Sequence, residues 1–298
     1  GTADLINAGN QHARGIVIGY DTRFLSEEFA RAVAEVMTAN GIPTMLCDRP
    51  APTPTVSYDL VSRDAGAGVI ITASHNPANY NGFKYKPDYG GSASPEIVEQ
   101  LESRIAVVEQ RGVVNRMPLH DAERQGLLEI FDPEPEYLAH LATIVDVQAI
   151  RNAGLNVVVD SMYGSGAGYL KKLLEGGTTH IIEIHGERNP AFPGMAQPEP
   201  IAHNLTELIE AVQDHNADVG LALDGDADRL GMVDESGNFV TTLQTFALLC
   251  YHLLENLGQR GPLVRSITMT SMIDRLAELY DVPIFDTPVG FKFLGPVL

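Results

Sequence analysis

The sequence predicts an α/β protein made of successive three-layer α/β/α domains with mixed, mostly parallel sheets. Short apolar runs with the length of buried strands alternate with amphipathic helical segments along most of the 298 residues. Parallel strands need a crossover connection, usually a helix, and this alternation supplies one after nearly every strand. A chain of this length has room for two or three domains, each with its own core.

The first round of strands and helices predicts domain I, which we expect to span residues 1–134. Its elements are a strand at 15–19, a helix from Ser26 to the stop signal Asn40-Gly41, a strand at 44–47, a short helix after a proline-rich loop, and a strand at 68–71. Ser26 is the expected N-cap of the first helix, because two glutamates follow it where the positive end of the helix dipole favours them.

Two further rounds predict domain II at residues 135–259 and the start of a third domain at 260–298. Domain II has expected helices at 137–147, 169–174, 204–216 and 246–257 and strands at 155–159, 179–184 and 219–223. The third round consists of a strand at 264–268, a helix at 272–280 and a short strand at 283–285. So few elements do not close a βαβ domain, and we therefore expect the third domain to be incomplete.

Composition excludes several classes of partner. The net charge of −19 argues against nucleic acid or an anionic membrane as the partner, because both repel an acidic surface. No apolar run approaches the length of a membrane span, and the first residues lack the pattern of a secretory signal. The only cysteines, Cys47 and Cys250, fit reduced thiols, so we expect a cytoplasmic protein.

The strand at 68–71 ends abruptly in small and polar residues, Thr72-Ala-Ser-His-Asn-Pro77. This change predicts that the hydroxyl of Ser74 lies at the carboxyl end of a parallel strand, where α/β proteins bind their ligands. An isolated serine in such a place more often serves as a turn or cap residue. The spacing alone therefore leaves a structural and a functional serine both open.

A second motif, Asp224-Gly-Asp-Ala-Asp-Arg229, follows the apolar strand at 219–223. Carboxylates at alternate positions, with a glycine that lets the backbone curl, suit a hard cation such as Mg²⁺. Asp224, Asp226 and Asp228 are therefore the candidate metal ligands. An acidic turn without a metal is the structural alternative, but such closely spaced carboxylates repel one another.

Two other functions share parts of the acidic motif. In a calcium-binding EF-hand loop that starts at Asp224, Glu235 takes the twelfth place, but Arg229 stands where that loop requires glycine, and strands flank the motif. In a haloacid-dehalogenase-type phosphatase, Asp224 is the nucleophile, but Ala227 replaces the usual threonine or valine. The second alternative stays open.

A glycine-rich turn, Asp160-Ser-Met-Tyr-Gly164 with Gly166 and Gly168, resembles a dinucleotide-binding fingerprint followed by an acidic residue, Glu183. The glycine spacing lacks the third glycine at its required place. A tight strand-to-helix turn is therefore the favoured interpretation.

Taken together, the motifs resemble the α-D-phosphohexomutases, the phosphoglucomutase and phosphomannomutase superfamily. Thr72–Pro77 resembles the phosphoserine loop of that family, and Asp224–Arg229 matches its metal loop at every position. Further segments resemble family motifs in the right order: Gly19–Arg23 in the first domain, Pro190–Gly194 with Pro198–Pro200 before the metal loop, and Thr287–Lys292 in the third domain. The resemblance spans essentially the whole chain.

The resemblance implies that Ser74 carries a phosphoryl group and transfers it to and from a hexose phosphate through a bisphosphate intermediate. It implies one Mg²⁺ bound by the three aspartates and the phosphoserine, and a primer of the glucose 1,6-bisphosphate type. The implied catalytic residues are Ser74, Lys84, His75 and Arg229, and the implied substrate-binding residues are Arg23, Asn76 and Lys292. Lys84 and His75 are alternative proton acceptors, while His75, Arg23 and Lys84 also have ordinary structural interpretations.

The segment Thr287–Lys292 looks more like phosphoglucomutases than like the mannose or glucosamine branches, which favours glucose phosphates as substrates. Phosphomannomutase or dual specificity is the alternative, followed by the metal-dependent phosphatase and by an inactive sugar-phosphate-binding fragment. The family's opening motif, its sugar-binding loop and its phosphate-clamping fourth-domain loop are absent from the sequence. We therefore expect the front part of a four-domain mutase.

Overall fold

The computed structural model describes residues 1–9 and 11–297, and it confirms the predicted α/β class. Within these residues the strands form two five-stranded sheets and one two-stranded sheet, and most neighbouring strands run parallel. In the described part of the chain, no helix combines the length and the apolar character needed to cross a bilayer.

The first sheet contains five strands in the order β4-β3-β1-β2-β5, of which only β4 is antiparallel to its neighbour. The strands are β1 (Ile16–Tyr20), β2 (Thr44–Cys47), β3 (Ala67–Ile71), β4 (Phe83–Pro87) and β5 (Leu128–Phe131). The accompanying helices are α1 (Thr2–Ala8), α2 (Ser26–Ala39), α3 (Thr53–Ser62), α4 (Pro95–Arg111) and α5 (Leu119–Arg124). Every residue of β1 and β3 is buried, which explains their continuous apolar sequences.

The second sheet has the order β10-β9-β8-β6-β7. Its strands are β6 (Asn156–Asp160), β7 (His180–Ile184), β8 (Val219–Leu223), β9 (Leu230–Asp234) and β10 (Phe239–Val240), and its helices are α6 (Glu134–Ile144), α7 (Val147–Arg151), α8 (Tyr169–Leu174) and α9 (Thr206–Asp214). Val158 packs in one core cluster with Leu208 of α9, whereas its neighbours in β6 pack in another with Leu174 of α8. Because successive strand residues point to opposite faces, helices cover both faces of this sheet.

The third unit is small. It contains α10 (Thr242–Tyr251), β11 (Leu263–Ser266), α11 (Met272–Tyr280), β12 (Ile284–Thr287) and α12 (Phe291–Leu294). Ala247 and Cys250 of α10 pack against Ile273 of α11, so α10 shares its core with the third unit. A domain boundary at 259/260 would cut through this packing, and the predicted domain boundaries remain predictions.

Two local predictions about helices were wrong. Ser26 is the first residue of α2 rather than its N-cap, which is Leu25 with a left-handed φ of 61°. The hydroxyl of Ser26 instead donates a hydrogen bond to the buried carboxylate of Asp21 over 2.7 Å, a strong bond because its acceptor is a carboxylate. The helix expected at 137–147 breaks before Asp146, whose side chain caps α7.

Each five-stranded sheet contains a switch point at which the chain changes direction across the sheet. From β1 the chain moves to β2 on one side and then to β3 on the other; it moves from β6 to β7 and then to β8 in the same way. Loops at the carboxyl ends of strands beside such a point form the ligand sites of α/β sheets. The serine loop follows β3 and the acidic loop follows β8, so both predicted motifs lie at switch points.

Candidate active site

Ser74 lies in the loop after β3 and has a left-handed backbone, with φ of 52°. Its N–H donates to Oγ1 of Thr72 over 2.8 Å, and the residue is 8% exposed. Positive φ is uncommon for residues other than glycine and persists only where surrounding contacts fix the backbone. The Ser74 hydroxyl is therefore presented by a constrained turn.

Arg23 supplies much of that constraint. Its guanidinium group is fully buried, and all five of its N–H groups are hydrogen-bonded. The acceptors are the Asp21 carboxylate and the carbonyl oxygens of Ser74, Asn76, Pro77 and Tyr80, at distances of 2.6–3.1 Å. In this arrangement Arg23 has no donor left for a substrate, so the geometry makes it a residue that orders the serine loop, while its predicted substrate contact remains untested.

The acidic loop curls around the carboxylate of Asp224. Oδ1 of Asp224 accepts the backbone N–H groups of Asp228 and Arg229 over 2.9 and 3.0 Å. The turn requires a left-handed backbone at Ala227, with φ of 54°. A Cβ atom on Gly225 would lie 2.5 Å from the carbonyl oxygen of Ser74, so the glycine allows the two loops to touch.

The two loops meet directly across the boundary between the two sheets. The Ser74 hydroxyl donates a hydrogen bond to Oδ2 of Asp224 over 3.0 Å. Thr53, at the start of α3, donates from Oγ1 to Oδ2 of Asp226 over 2.6 Å, and its backbone N–H donates to the Asp226 carbonyl oxygen. The sequence motifs from the two domains therefore form one site.

Lys84 of β4 also reaches across to the acidic loop. Its Nζ atom donates to Oδ2 of Asp226 over 2.6 Å and lies 3.4 Å from Oδ2 of Asp228. Burial lowers the pKa of Lys84, but the two carboxylates raise it more strongly, and the net shift is upward. Lys84 therefore neutralises part of the acidic cluster; its predicted role as proton acceptor remains a prediction.

The acidic cluster fits a divalent cation. One carboxylate oxygen from each of Asp224, Asp226 and Asp228 lies within 4.8 Å of the others. Among the described residues, the buried Oδ1 atom of Asp226 has no hydrogen-bond partner. Burial, and then repulsion by its two neighbours, raises the pKa of Asp224. A cation relieves both penalties, and an all-oxygen ligand set is the one that Mg²⁺ prefers.

His75 and Asn76 follow Ser74 at the rim of the site. Burial, followed by the charge of Arg229, lowers the pKa of His75. Nδ1 of His75 is buried without a partner among the described residues, and Nε2 lies 3.9 Å from a carboxylate oxygen of Glu199. The Asn76 side chain is exposed and donates to the carbonyl oxygen of Ala73. Both residues are thus beside Ser74, and their proposed roles remain predictions.

Arg229 belongs to the same rim. Its Nη1 atom lies 3.3 Å from Oε1 of Glu199, and its Nε atom lies 3.9 Å from Oδ1 of Asp228. Lys292 is different, because it lies on α12, where its ammonium group is over the ring of Phe293. No hydrogen bond or ion pair within the described residues joins Lys292 to the other site residues.

Sequence reasoning did not identify Thr53, Asp21 or Glu199 as functional residues. Thr53 follows a proline-rich loop, and a single hydroxyl there gives no signal of its partner in another domain. Asp21 and Glu199 stood inside segments already associated with the family, Gly19–Arg23 and Pro198–Pro200. Their position inside these segments was the sequence feature that could have identified them.

The glycine-rich turn after β6 has a structural task. A Cβ atom on Gly164 would lie 2.9 Å from the carbonyl oxygen of Asp224, and the N–H of Ser165 donates to the carbonyl oxygen of Gly225. Thr22 donates to the Tyr163 carbonyl oxygen over 2.7 Å. The turn thus packs beneath the acidic loop and joins it to the segment that contains Arg23.

Fold and site define a multidomain α/β protein that brings a constrained serine of one domain against an acidic, metal-type loop of the next. Comparison with known families also divides the chain into successive α/β/α domains of one family. Residues 1–112, 135–237 and 242–298 match domains I, II and III, respectively, of the family described as "Phosphoglucomutase/phosphomannomutase, alpha/beta/alpha". The chain belongs to this family, and thus to the α-D-phosphohexomutase superfamily.

Individual relatives carry names for different sugars. A Thermococcus kodakarensis phosphoglucomutase/phosphomannomutase is 32% identical, and a Thermococcus gammatolerans protein named as a probable phosphoglucosamine mutase is also 32% identical; each alignment covers 92% of this chain. A crystal structure from Thermus thermophilus, provisionally assigned as a phosphomannomutase, superposes with a TM-score of 0.83 at 31% identity over 97% of this chain and 65% of that chain. The present chain spans 58% of the length of both curated relatives.

Proposed function

We propose that the chain is the phosphoserine- and metal-bearing part of a phosphohexomutase, a cytoplasmic isomerase that moves a phosphoryl group between the 1- and 6-positions of a hexose phosphate. The hydrogen bond between Ser74 and Asp224 carries this proposal. It places a constrained hydroxyl against three clustered carboxylates. That is the arrangement needed for a phosphorylated serine that shares a metal with an acidic loop.

In the proposed reaction, a hydroxyl oxygen of the sugar attacks the phosphorus atom on Ser74. The new P–O bond forms as the bond to Oγ of Ser74 breaks, and Oγ takes up a proton. The sugar is then a bisphosphate, which reorients and returns its other phosphoryl group to Ser74. Transfer of this kind depends mainly on positioning and on neutralising charge.

Each residue of the site has a place in that scheme. Asp224, Asp226, Asp228 and an oxygen of phosphorylated Ser74 would hold one Mg²⁺, which supplies charge neutralisation when bound. The guanidinium fork of Arg229 suits phosphoryl oxygens. Lys84 or His75, in its neutral form, takes the proton of the attacking hydroxyl, and Arg23 fixes the serine loop. A bisphosphate primer of the glucose 1,6-bisphosphate type would phosphorylate Ser74 at the outset.

We propose glucose 1-phosphate and glucose 6-phosphate as the preferred pair, on the basis of the segment Thr287–Lys292. In this scheme Lys292 and Asn76 contact the substrate. Phosphomannomutase activity, alone or together with phosphoglucomutase activity, is the alternative, because relatives of similar identity are named for mannose and for glucosamine as well.

A metal-dependent phosphatase with Asp224 as its nucleophile is the second candidate, favoured by the position of Asp224 directly after an apolar strand. In the structure, however, both oxygens of Asp224 are engaged: Oδ1 by two backbone N–H groups and Oδ2 by Ser74. A nucleophile needs a free oxygen, so the geometry favours the mutase.

An isomerase assay separates these candidates. The chain is incubated with glucose 1-phosphate, Mg²⁺ and the bisphosphate primer, and formation of glucose 6-phosphate is followed, with the full-length Thermococcus kodakarensis relative as the positive control. We expect Ser74→Ala to abolish turnover and Asp224→Asn to weaken Mg²⁺ binding, so that turnover requires more Mg²⁺. Release of inorganic phosphate that survives Ser74→Ala and disappears in Asp224→Asn would instead establish the phosphatase. A chain that binds the sugar phosphate without turnover would be an inactive fragment.

A further inference from the structure

Glu199 connects the two halves of the rim described above. It lies in the loop between β7 and α9, and its carboxylate contacts residues from both other loops. Oε1 of Glu199 is 3.3 Å from Nη1 of Arg229 in the acidic loop and 3.9 Å from Nε2 of His75 in the serine loop. One oxygen atom therefore faces a cationic side chain on one side and an imidazole on the other.

The loop that carries Glu199 is itself held in place. The Asn204 side chain donates to the carbonyl oxygens of Gln197 and Glu199 over 3.1 and 2.9 Å. The amide of Gln197 donates to the second carboxylate oxygen, Oε2, of Glu199. The N–H of Gly225 donates to the carbonyl oxygen of Pro198, which ties this loop to the acidic loop. Both the backbone and the side chain of Glu199 are thus ordered before any ligand binds.

The side chain of Arg229, by contrast, makes a single hydrogen bond among the described residues, and its acceptor is Glu199. Its side chain is 45% exposed, and its other charged neighbour, Oδ1 of Asp228, lies 3.9 Å from Nε, beyond hydrogen-bond distance. A long exposed side chain loses considerable rotamer entropy when it is ordered, and a preformed carboxylate reduces that loss at the moment of binding. Glu199 binds only Nη1 of Arg229, and Nη2 has no hydrogen-bond partner among the described residues.

We propose that Glu199 is a positioning residue. It holds the guanidinium group of Arg229 beside the serine loop, where that group can bind the phosphoryl oxygens on Ser74. The proposal rests on the proposed function, in which Arg229 binds the phosphoryl group. Glu199 acts through Arg229 and does not contact the reacting atoms. Its removal therefore matters only while Arg229 is present.

A double-mutant cycle tests this dependence. The rate at which the chain acquires phosphate from glucose 1,6-bisphosphate and Mg²⁺ is measured by intact mass in wild type, Glu199→Gln, Arg229→Met and the double variant. We expect Glu199→Gln to slow phosphorylation about tenfold in the wild-type background and less than about twofold in the Arg229→Met background, a coupling of the size found for directly contacting residues. Glu210→Gln, an exposed carboxylate on α9, is the matched control and should have no effect.

The proposal would be overturned if Glu199→Gln slowed phosphorylation by the same factor in the wild-type and Arg229→Met backgrounds, or if it had no effect on the rate. A second readout requires no phosphoryl transfer: the Nη–H resonances of Arg229 in the ¹⁵N-labelled chain at low temperature, assigned by their loss in Arg229→Met. Because Nη1 is the nitrogen that Glu199 binds, we expect the exchange of these protons with water to accelerate several-fold in Glu199→Gln, and unchanged exchange would contradict the role of Glu199. If the wild-type chain acquires no phosphate, the proposed function fails, and the resonances still decide the role of Glu199.

Discussion

The hydroxyl of Ser74 donates a hydrogen bond to Oδ2 of Asp224 over 3.0 Å, although 150 positions separate the two residues and their loops follow strands of different sheets. Each of them follows a strand beside a switch point of its own sheet. The carboxyl edges of the two sheets therefore face each other, and the site exists only while the two domains keep this arrangement. The contacts that hold the domains together should consequently affect the chemistry of the site.

Thr53 is one such contact, because its hydroxyl fixes Oδ2 of Asp226 from the other domain. We expect Thr53→Val to weaken Mg²⁺ binding about tenfold, the usual effect of removing a hydrogen bond to a metal ligand. Calorimetric titration with Mg²⁺ alone measures this effect. Thr53→Ser keeps the hydroxyl and should retain most of the affinity. Equal affinities for Thr53→Val and wild type would show that Asp226 needs no support from domain I.

Arg23 should be irreplaceable even by lysine. Lysine has three donors on a single nitrogen atom and cannot reach the five acceptors that surround the guanidinium group. We expect Arg23→Lys to slow phosphorylation of Ser74 by about a hundredfold or more, since roughly 3 kcal/mol is a typical loss for breaking a buried ion pair. The phosphorylation rate and the circular dichroism spectrum are measured together. A folded Arg23→Lys chain that acquires phosphate at the wild-type rate would contradict the ordering role.

Asp59 on α3 should limit stability at neutral and alkaline pH. Its side chain is buried, and among the described residues neither of its carboxylate oxygens has a hydrogen-bond partner. Burial raises the pKa of Asp59 to about 7, against the attraction of Arg63, which lowers it. The folded state therefore holds a proton that the unfolded state releases near pH 4, so stability falls as the pH rises from about 4 to 7.

The corresponding variant is Asp59→Asn, which removes the ionisation. We expect it to raise the free energy of unfolding by roughly 1–3 kcal/mol at pH 8, because each unit by which burial raises the pKa corresponds to about 1.4 kcal/mol and the buried amide keeps part of the cost, and to have little effect near pH 4. Urea unfolding at the two pH values measures the difference. The same effect at both pH values would mean that ionisation of Asp59 is not its cause.

The contribution of His185 to the stability of the fold should also depend on pH, but over a higher pH range than that of Asp59. Its Nδ1 and Nε2 atoms each lie 2.9 Å from a carboxylate oxygen, of Asp160 and Glu207 respectively, and the imidazole ring packs at 4.5 Å from that of Tyr163. The bond to Asp160, followed by other contributions from both carboxylates, outweighs burial and raises the pKa of His185 to about 9. Because the pKa in the folded state is above the unfolded value, this contribution is fully present below about pH 6.5 and is lost as the pH rises through about 9.

We expect His185→Gln to lower the free energy of unfolding by about 1–2 kcal/mol at pH 6 and by less at pH 9.5. The expected loss is modest because solvent around the exposed Glu207 screens its attraction to the imidazolium. Unfolding curves of the variant and of wild type at both pH values measure the change. A larger loss at pH 9.5 than at pH 6 would show that the charged form of His185 does not stabilise the fold.

The fold was largely predictable because buried parallel strands leave a strong local signal. β1 and β3 are continuous apolar runs ended by small or polar residues, and β8 runs directly into the acidic motif. β4 left no such signal, since its sequence Phe-Lys-Tyr-Lys-Pro belongs to a partly exposed edge strand, whose Lys84 binds the acidic loop of another domain. Local periodicity cannot reveal a lysine whose partner lies across a domain boundary.

The two motifs of the candidate site were predictable, and the family resemblance implied that they share a metal, but the residues that support their contact were not. Ser74 and the three aspartates could be found from their local patterns, whereas the positions of Thr53 and Glu199 depend on how three loops converge. Arg23 shows the same limit: its motif marked it for the site, but only the structure shows that the loop of Ser74 accepts four of its five donors and Asp21 the fifth.

The central claim, that Ser74 accepts and donates a phosphoryl group, is tested most directly by intact mass. The chain is incubated with glucose 1,6-bisphosphate and Mg²⁺, and its mass is compared with that of Ser74→Ala and Asp226→Asn treated in the same way. We predict an increase of one phosphoryl group in wild type, none in Ser74→Ala and a strongly reduced fraction in Asp226→Asn. A phosphoryl group that persists in Ser74→Ala, or an active wild-type chain that never carries one, would contradict the account.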